Sequence, residues 1–169
     1  MWSPAPPGPT LRGETIEDQG EFGEWVAPHL QAMGNLASRL AGPTDRDDVV
    51  QEALTRAWRK RSQFDPERGS PRAWLLAIVA DRARRTWRRT RVARVDTRAK
   101  FVEGPNEVAV EMERAVERLP PRMRLAVECV YFVDLTIADP AVVMGVSEGT
   151  VKSTLSDARA RLRLMLEVS

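Results

Sequence analysis

Eight arginines fall within the seventeen residues from Arg82 to Arg98, in the company of one tryptophan, Trp87, and one aspartate, Asp96. Guanidinium groups at that density neutralise phosphates and displace their counterions, and a ring among them can stack on or wedge against an unstacked base. The chemistry is recognition of a polyanion, with nucleic acid the foremost candidate. A solvated helix face or a helix lying on a membrane surface would show a similar composition. The charge is segregated along the chain: residues 56–100 carry 15 Lys+Arg against 4 Asp+Glu, a net of +11, while residues 1–55 net −6 and residues 101–169 net −3. An overall charge of +2 conceals this division.

Other reactive groups are sparse. Asp45, Asp47, Asp48 and Glu52 could hold magnesium, as a small helical hydrolase or nuclease would need. They crowd one helix start, however, with no second element contributing. The single cysteine, Cys129, excludes an internal disulfide, and His29 is the only histidine to stand beside it as a soft ligand. The sequence thus suggests no catalytic residue, no cofactor and no metal site.

These residues must be positioned by helices. A length of 169 residues allows one ordinary domain or two small ones, and 43% apolar with 30% charged residues describes a soluble, mostly helical protein. No apolar run is long enough to cross a bilayer. The first residues are proline-rich without the pattern of a secretion signal, so residues 1–20 are expected to be a disordered lead and the chain to be cytoplasmic. Phe22, Trp25, Leu30, Met33, Leu36, Ala37 and Leu40 then recur at helical spacing, with Pro28 starting or kinking the helix and Gly42-Pro43 ending it. Thr44 and the acids Asp45, Asp47 and Asp48 suit the start of a second helix, Asp45 and Asp47 through capping and the macrodipole. Its apolar stripe is Val49, Val50, Ala53, Leu54, Ala57 and Trp58. Ser70-Pro71 is a cap followed by a first-turn proline, and it opens a third helix with Trp74, Leu75, Ile78 and Val79 on the buried face.

Residues 96–106 are charged, contain Gly104-Pro105 and lose the apolar period, which predicts a flexible linker between a domain over 21–95 and another over 107–169. In the second, Val108, Met112, Ala115, Val116 and Leu119 predict a short helix, and Met123 to Val133 predict another. A short element over Pro140–Met144, a turn at Gly145 and a helix from Ser147 to Leu166 then have helix-turn-helix form. Val142, Val143, Val146, Val151 and Leu155 would make its internal contact, leaving Thr150, Lys152, Ser153 and Ser156 outward. A plain helical hairpin shares that apolar spacing. The fold class is therefore all-α, with two small helical domains, the second containing a helix-turn-helix.

Four segments, in order, resemble the extracytoplasmic-function (ECF) class of bacterial RNA polymerase sigma factors. D-R-D-D-V-V-Q-E-A-L-T-R-A-W-R is similar to that family's helix for core polymerase, and F-D-P-E-R-G-S-P-R-A-W-L-L-A-I to its loop and helix for the −10 element. R-L-P-P-R-M-R-L-A is similar to the opening of its second domain, and G-V-S-E-G-T-V-K-S-T-L-S-D-A-R-A-R-L to its −35 recognition helix. The resemblance implies a factor that binds core RNA polymerase and promoter DNA, often under an anti-sigma partner, with no membrane insertion. It places polymerase contacts at Asp48, Gln51, Glu52, Thr55 and Arg56. The loop Phe64 to Ser70 with Arg72, Asp81, Arg84, Arg85, Trp87, Arg88 and Arg89 would meet the −10 element, capturing a flipped base. Thr150, Lys152, Ser153, Ser156, Asp157 and Arg159 would meet the −35 element.

Three features depart from the family pattern. Asp81 stands where asparagine is common, and its carboxylate accepts but cannot donate. Thr154 and Asp157 occupy places usually basic, where Asp157 would repel phosphates. Asp139-Pro140 reads as a cap followed by proline, so the helix it opens is expected to start late and be short. A stand-alone helix-turn-helix regulator that binds duplex DNA without polymerase is the main rival reading.

Overall fold

Pro28 breaks the first apolar run into two helices. Helix α1 spans Gln19–Val26, capped by the Asp18 carboxylate, which accepts from Glu21 N at 2.9 Å. A single 3-10 turn over Ala27–His29 contains the proline, and helix α2 follows over Leu30–Ala41. The computed structural model describes residues 10–11, 14–15, 18–90 and 107–167. The expected disordered lead lies largely outside the described residues; within it Thr10–Leu11 pairs antiparallel with Glu14–Thr15. The expected linker, residues 96–106, lies outside them altogether.

Helix α3 spans Arg46–Lys60. Asp45 occupies its N-cap position, but the Asp45 side chain makes no capping hydrogen bond there, so the acids of the first turn, Asp47 and Asp48, favour the helix through its dipole. Two 3-10 turns, Arg61–Gln63 and Pro66–Arg68, lead into helix α4 over Pro71–Thr90. Ser70 caps α4 as its sequence context implies: its Oγ accepts from Ala73 N at 3.1 Å. Gly69 holds φ +153 directly before it, a conformation side chains resist, and a Cβ there would lie 2.8 Å from Val142.

The core of this half joins Met33 and Leu36 of α2, Val49 and Ala53 of α3, and Leu75, Leu76 and Val79 of α4. At one end Trp25 meets Phe64 with ring centroids 5.3 Å apart and Trp74 at 5.9 Å, while Phe22 meets Trp58 at 5.3 Å. Such tilted and edge-on pairs join α1, α3, the loop and α4 into one aromatic corner.

In the C-terminal half, helix α5 spans Glu107–Glu117 and α6 spans Pro121–Val127. The expected helix to Val133 changes character at a π-helical turn over Glu128–Phe132. Helix α7, Ala138–Met144, and helix α8, Glu148–Glu167, form the helix-turn-helix. Gly145, at φ +66, ends α7 in a left-handed cap, with Val146 N donating to Ala141 O at 2.9 Å and Gly145 N to Val142 O at 3.2 Å.

Several expectations for this half are corrected. Val108 is 69% exposed and Met112 is also exposed, so the buried part of α5 is Ala115 and Val116. Helix α7 starts at Ala138, earlier than expected, with Asp139 in its first turn and Pro140 placed where a missing N–H costs nothing. Val143 does not join the helix-turn-helix core. It packs into the cluster of the N-terminal half, together with Cys129, Val133 and Leu135. Val151 and Leu155 make the internal contact as expected, with Val146 beside them; Val142 is not part of it, and Ala141 and Ala158 complete it.

Helix α7 packs on α4, and Leu76, which lies off the buried face expected for α4, is fully buried. Leu76→Ala should cost about 2–5 kcal/mol, whereas Val108→Ala should stay within about 0.5 kcal/mol. Urea titration followed by circular dichroism checks both; equal midpoint shifts would contradict this packing.

Candidate nucleic-acid and protein interfaces

A helix that buries one face leaves the other for partners. On α3, Asp48, Gln51, Glu52 and Thr55 are exposed or nearly so, and Arg56 is half-buried. All but Asp48 line an open groove of about 620 Å³, whose remaining wall is Arg59, Lys60 and Arg82. None of these last three is among the polymerase contacts expected from sequence, and Arg82 enters there only as the first of the arginine block. Helical spacing is the signal that points to Arg59 and Lys60, since they continue the Glu52–Arg56 row by one turn. The groove is polar and mixed in sign: Arg82 Nη1 stands 3.5 Å from Glu52 Oε2, and Thr55 Oγ1 donates to Gln51 O at 3.0 Å. The carboxylates at the start of α3 do not converge, because Asp47 turns to Arg46 at 3.0 Å and Glu52 to Arg82.

Arg84 and Arg85 project from α4 with much of their side chains exposed. The helix continues through Trp87, Arg88 and Arg89, whose side chains lie outside the described residues, as does the rest of the arginine block, residues 91–98. Asp81 sits at the root of this face. It lies 2.8 Å from Arg84 Nη2, 3.2 Å from Arg85 Nε and 4.0 Å from Arg56 Nη1. Partial burial pushes its carboxyl upward, but the hydrogen bond from Arg84 and the charges of Arg85, Arg84 and Arg56 outweigh this and hold it below its ordinary value. These pairs therefore contribute stability above the ordinary carboxylate range, and that contribution is lost as pH falls through the lowered value. Asp81 acts first on its own arginines, tying α4 to α3 and fixing where the guanidinium groups point.

The loop before α4 is placed differently from an open base receptor. Phe64 is only 7% exposed and belongs to the aromatic corner with Trp25 and Trp74. Ser70 Oγ, besides capping α4, donates to Asp139 Oδ1 of α7 at 2.9 Å. Arg72 Nη2 donates to the Val133 carbonyl at 2.6 Å. Between loop and helix-turn-helix lies a cleft of about 640 Å³, walled by Gln63, Asp65, Arg68 and Trp74 on one side and by Val142, Gly145 and Ser147 on the other.

On α8, Ser147 Oγ accepts from Thr150 N at 3.2 Å and bonds the Thr150 hydroxyl at 2.9 Å, fixing the N-terminus of the helix. Lys152, Ser153, Ser156, Asp157 and Arg159 are exposed. Thr154 is not on that edge. It is 9% exposed and its hydroxyl donates to Thr150 O at 2.7 Å, a back-bond that lets a polar residue sit against the core. Arg159 Nε donates to Tyr131 Oη at 2.9 Å, which ties the middle of α8 to the π-helical turn. Cys129, fully buried, has its thiol pushed up to about 12 by burial and by Glu128, so it is a core side chain without thiolate chemistry at neutral pH.

The Sigma-70 region 2 family matches residues 25–92, covering α2 to α4, and the Sigma-70, region 4 family matches residues 109–162, covering α5 to most of α8. The ECF RNA polymerase sigma factor SigM of Mycobacterium tuberculosis is 34% identical over 167 residues, covering 92% of this chain and 82% of SigM. CnrH of Cupriavidus metallidurans, an RNA polymerase sigma factor, is 30% identical over 89% of this chain and 88% of its own. The structure of CnrH in complex with the cytosolic domain of CnrY superposes with a TM-score of 0.69 at 28% identity, covering 90% of this chain and 91% of that one. The fold is also that of the sigma factor RpoE bound to the anti-sigma factor NepR from Bartonella quintana, with a TM-score of 0.65 at 24% identity over 88% of this chain and 98% of that one. Both families in their order along the chain, together with full-length relatives of this similarity, establish that the protein belongs to the ECF family of RNA polymerase sigma factors.

Proposed function

We propose that the chain binds core RNA polymerase through the exposed face of α3 and carries it to promoters, with α4 and its preceding loop meeting the −10 element and the outer edge of α8 the −35 element. One observation carries this reading: Gln51, Glu52 and Thr55 stand at the surface midway along α3, where neither capping nor core packing uses them. Arg84 and Arg85 project from a different helix, α4, so protein and nucleic acid can be engaged at once. Residues 21–95 and 107–169 act as the two working units, joined by residues 96–106. The chain supplies no chemistry of its own and needs no cofactor, since phosphodiester formation belongs to the polymerase. Its place of action is the cytoplasm, with polymerase and promoter.

The reading includes a protein partner that withholds the chain from polymerase. CnrH was solved with CnrY and RpoE with the anti-sigma factor NepR, and this chain shares their fold. The rival reading, a regulator acting without polymerase, leaves the polar face of α3 unused.

Gln51→Ala combined with Glu52→Lys should lower core affinity with helicity intact; undiminished pull-down of core polymerase by the folded double variant would remove the α3 assignment. For DNA, Arg84→Ala with Arg85→Ala should make the log–log dependence of binding on salt shallower by about 1 to 2, roughly one for each phosphate that is no longer neutralised. A titration of forked promoter DNA at several salt concentrations reads this, and an unchanged slope would mean that these side chains meet something other than phosphate.

A further inference from the structure

We propose that Arg39 is the key of an intramolecular clasp that holds the free chain closed, so that its own C-terminal helices mask the loop 64–70 until the two halves separate. Arg39 lies in the last turn of α2. Its Nη1 and Nη2 donate to the two carboxylate oxygens of Glu113 on α5 at 3.2 and 2.9 Å, and its Nε donates to Glu128. The same guanidinium lies 3.5 Å from the ring centroid of Phe132. Arg124 of α6 donates to the Arg39 carbonyl, one of the helix-end oxygens that have no intrahelical donor, and its Nε stands 3.5 Å from Glu128 Oε1. One arginine of the N-terminal half is thus gripped by α5, α6 and the π-helical turn.

The seam continues to the loop. Arg72 reaches the Val133 carbonyl, Ser70 the Asp139 carboxylate, and Gly69 lies against Val142. Groups that a melted promoter strand would need are engaged within the chain. Charged pairs suit a reversible closure. Burying Glu128, only 1% exposed, costs desolvation that its arginines largely offset, so the cluster fixes one orientation more than it adds strength, and water takes the charges back on opening. Beside the charged cluster the seam has an apolar part, where Cys129, Val133, Leu135 and Val143 meet the N-terminal core, and separation of the halves exposes it.

The masking rests on the proposed reading of the loop and α4 as a promoter surface; the clasp itself does not. Cys129, the single cysteine, is buried in the cluster where Val133, Leu135 and Val143 meet α2 and α4, so its reactivity toward a maleimide reports separation of the halves. The full chain is compared with Arg39→Ala and with Glu113→Gln, a milder change at the rim of the seam that keeps the fold testable should Arg39→Ala unfold. Helicity is followed by circular dichroism. Labelling should accelerate about tenfold or more in Arg39→Ala and less in Glu113→Gln, and both should bind a fluorescent fork with a mixed-sequence single-stranded arm more tightly than the wild-type chain. Labelling at the wild-type rate in the folded variants overturns the clasp, whatever happens with DNA. Faster labelling with unchanged affinity for a fork that the wild-type chain does bind overturns the masking alone. Faster labelling with a fork that none of the proteins binds overturns the promoter reading of the loop, and the masking with it.

Discussion

Helix α4 is hemmed in by α2, α3 and α7, and the rest of the molecule is arranged by what that costs. A helix enclosed in this way must be apolar through most of its circumference. From Ala73 to Ala83 it is: Leu75, Leu76 and Val79 fill the spaces between helices, while Ala73, Ala80 and Ala83 let neighbours approach closely. Past Ala83 the same helix turns basic, with Arg84 and Arg85 reaching out of the core. One continuous rod is anchored at its first turns and free to present charge at its last. Rigidity at the buried end is what allows guanidinium groups at the other to hold a defined direction.

Polar groups set the orientation that apolar packing leaves undetermined. Asp81, below its ordinary carboxyl value because of the arginines around it, joins the foot of the basic end to Arg56 of α3. Arg39, where burial disfavours the charge but the hydrogen bonds to Glu113 and Glu128 outweigh it, does the same between the two halves. Neither arrangement is a large source of stability, because desolvation offsets most of the attraction. Each instead selects one geometry among the many that a greasy surface would accept. Gln51 and Thr55, exposed on the polar face of α3, remain outside both.

Local features are readable from sequence wherever one short-range interaction decides them. Ser70-Pro71 caps and opens α4, Pro28 divides α1 from α2, and Gly145 ends α7, each through backbone chemistry confined to a few residues. The helical plan follows from apolar spacing in the same way. What sequence does not resolve is which core an apolar residue joins. Val143 has the right spacing for the helix-turn-helix yet packs against the N-terminal half, since periodicity gives a face but not its neighbour. Thr154 has the polarity of a surface residue, but a back-bond to Thr150 satisfies it inside. Phe64 belongs by motif to a DNA-facing loop, although its ring closes the aromatic corner. Arg39, the one charge on α2, carries no sequence signal at all; only the fold brings Glu113 and Glu128 to it.

The central claim is that this chain confers promoter-directed initiation on a polymerase that lacks it. Transcription in vitro with purified core polymerase and a library of double-stranded promoters, with and without the full chain, measures this directly. Transcripts should start at discrete positions only when the chain is present, and the enriched promoters should share one motif near −10. Binding of the chain to duplex DNA with no chain-dependent transcript from any member of the library would contradict it, and would favour a regulator that works without polymerase.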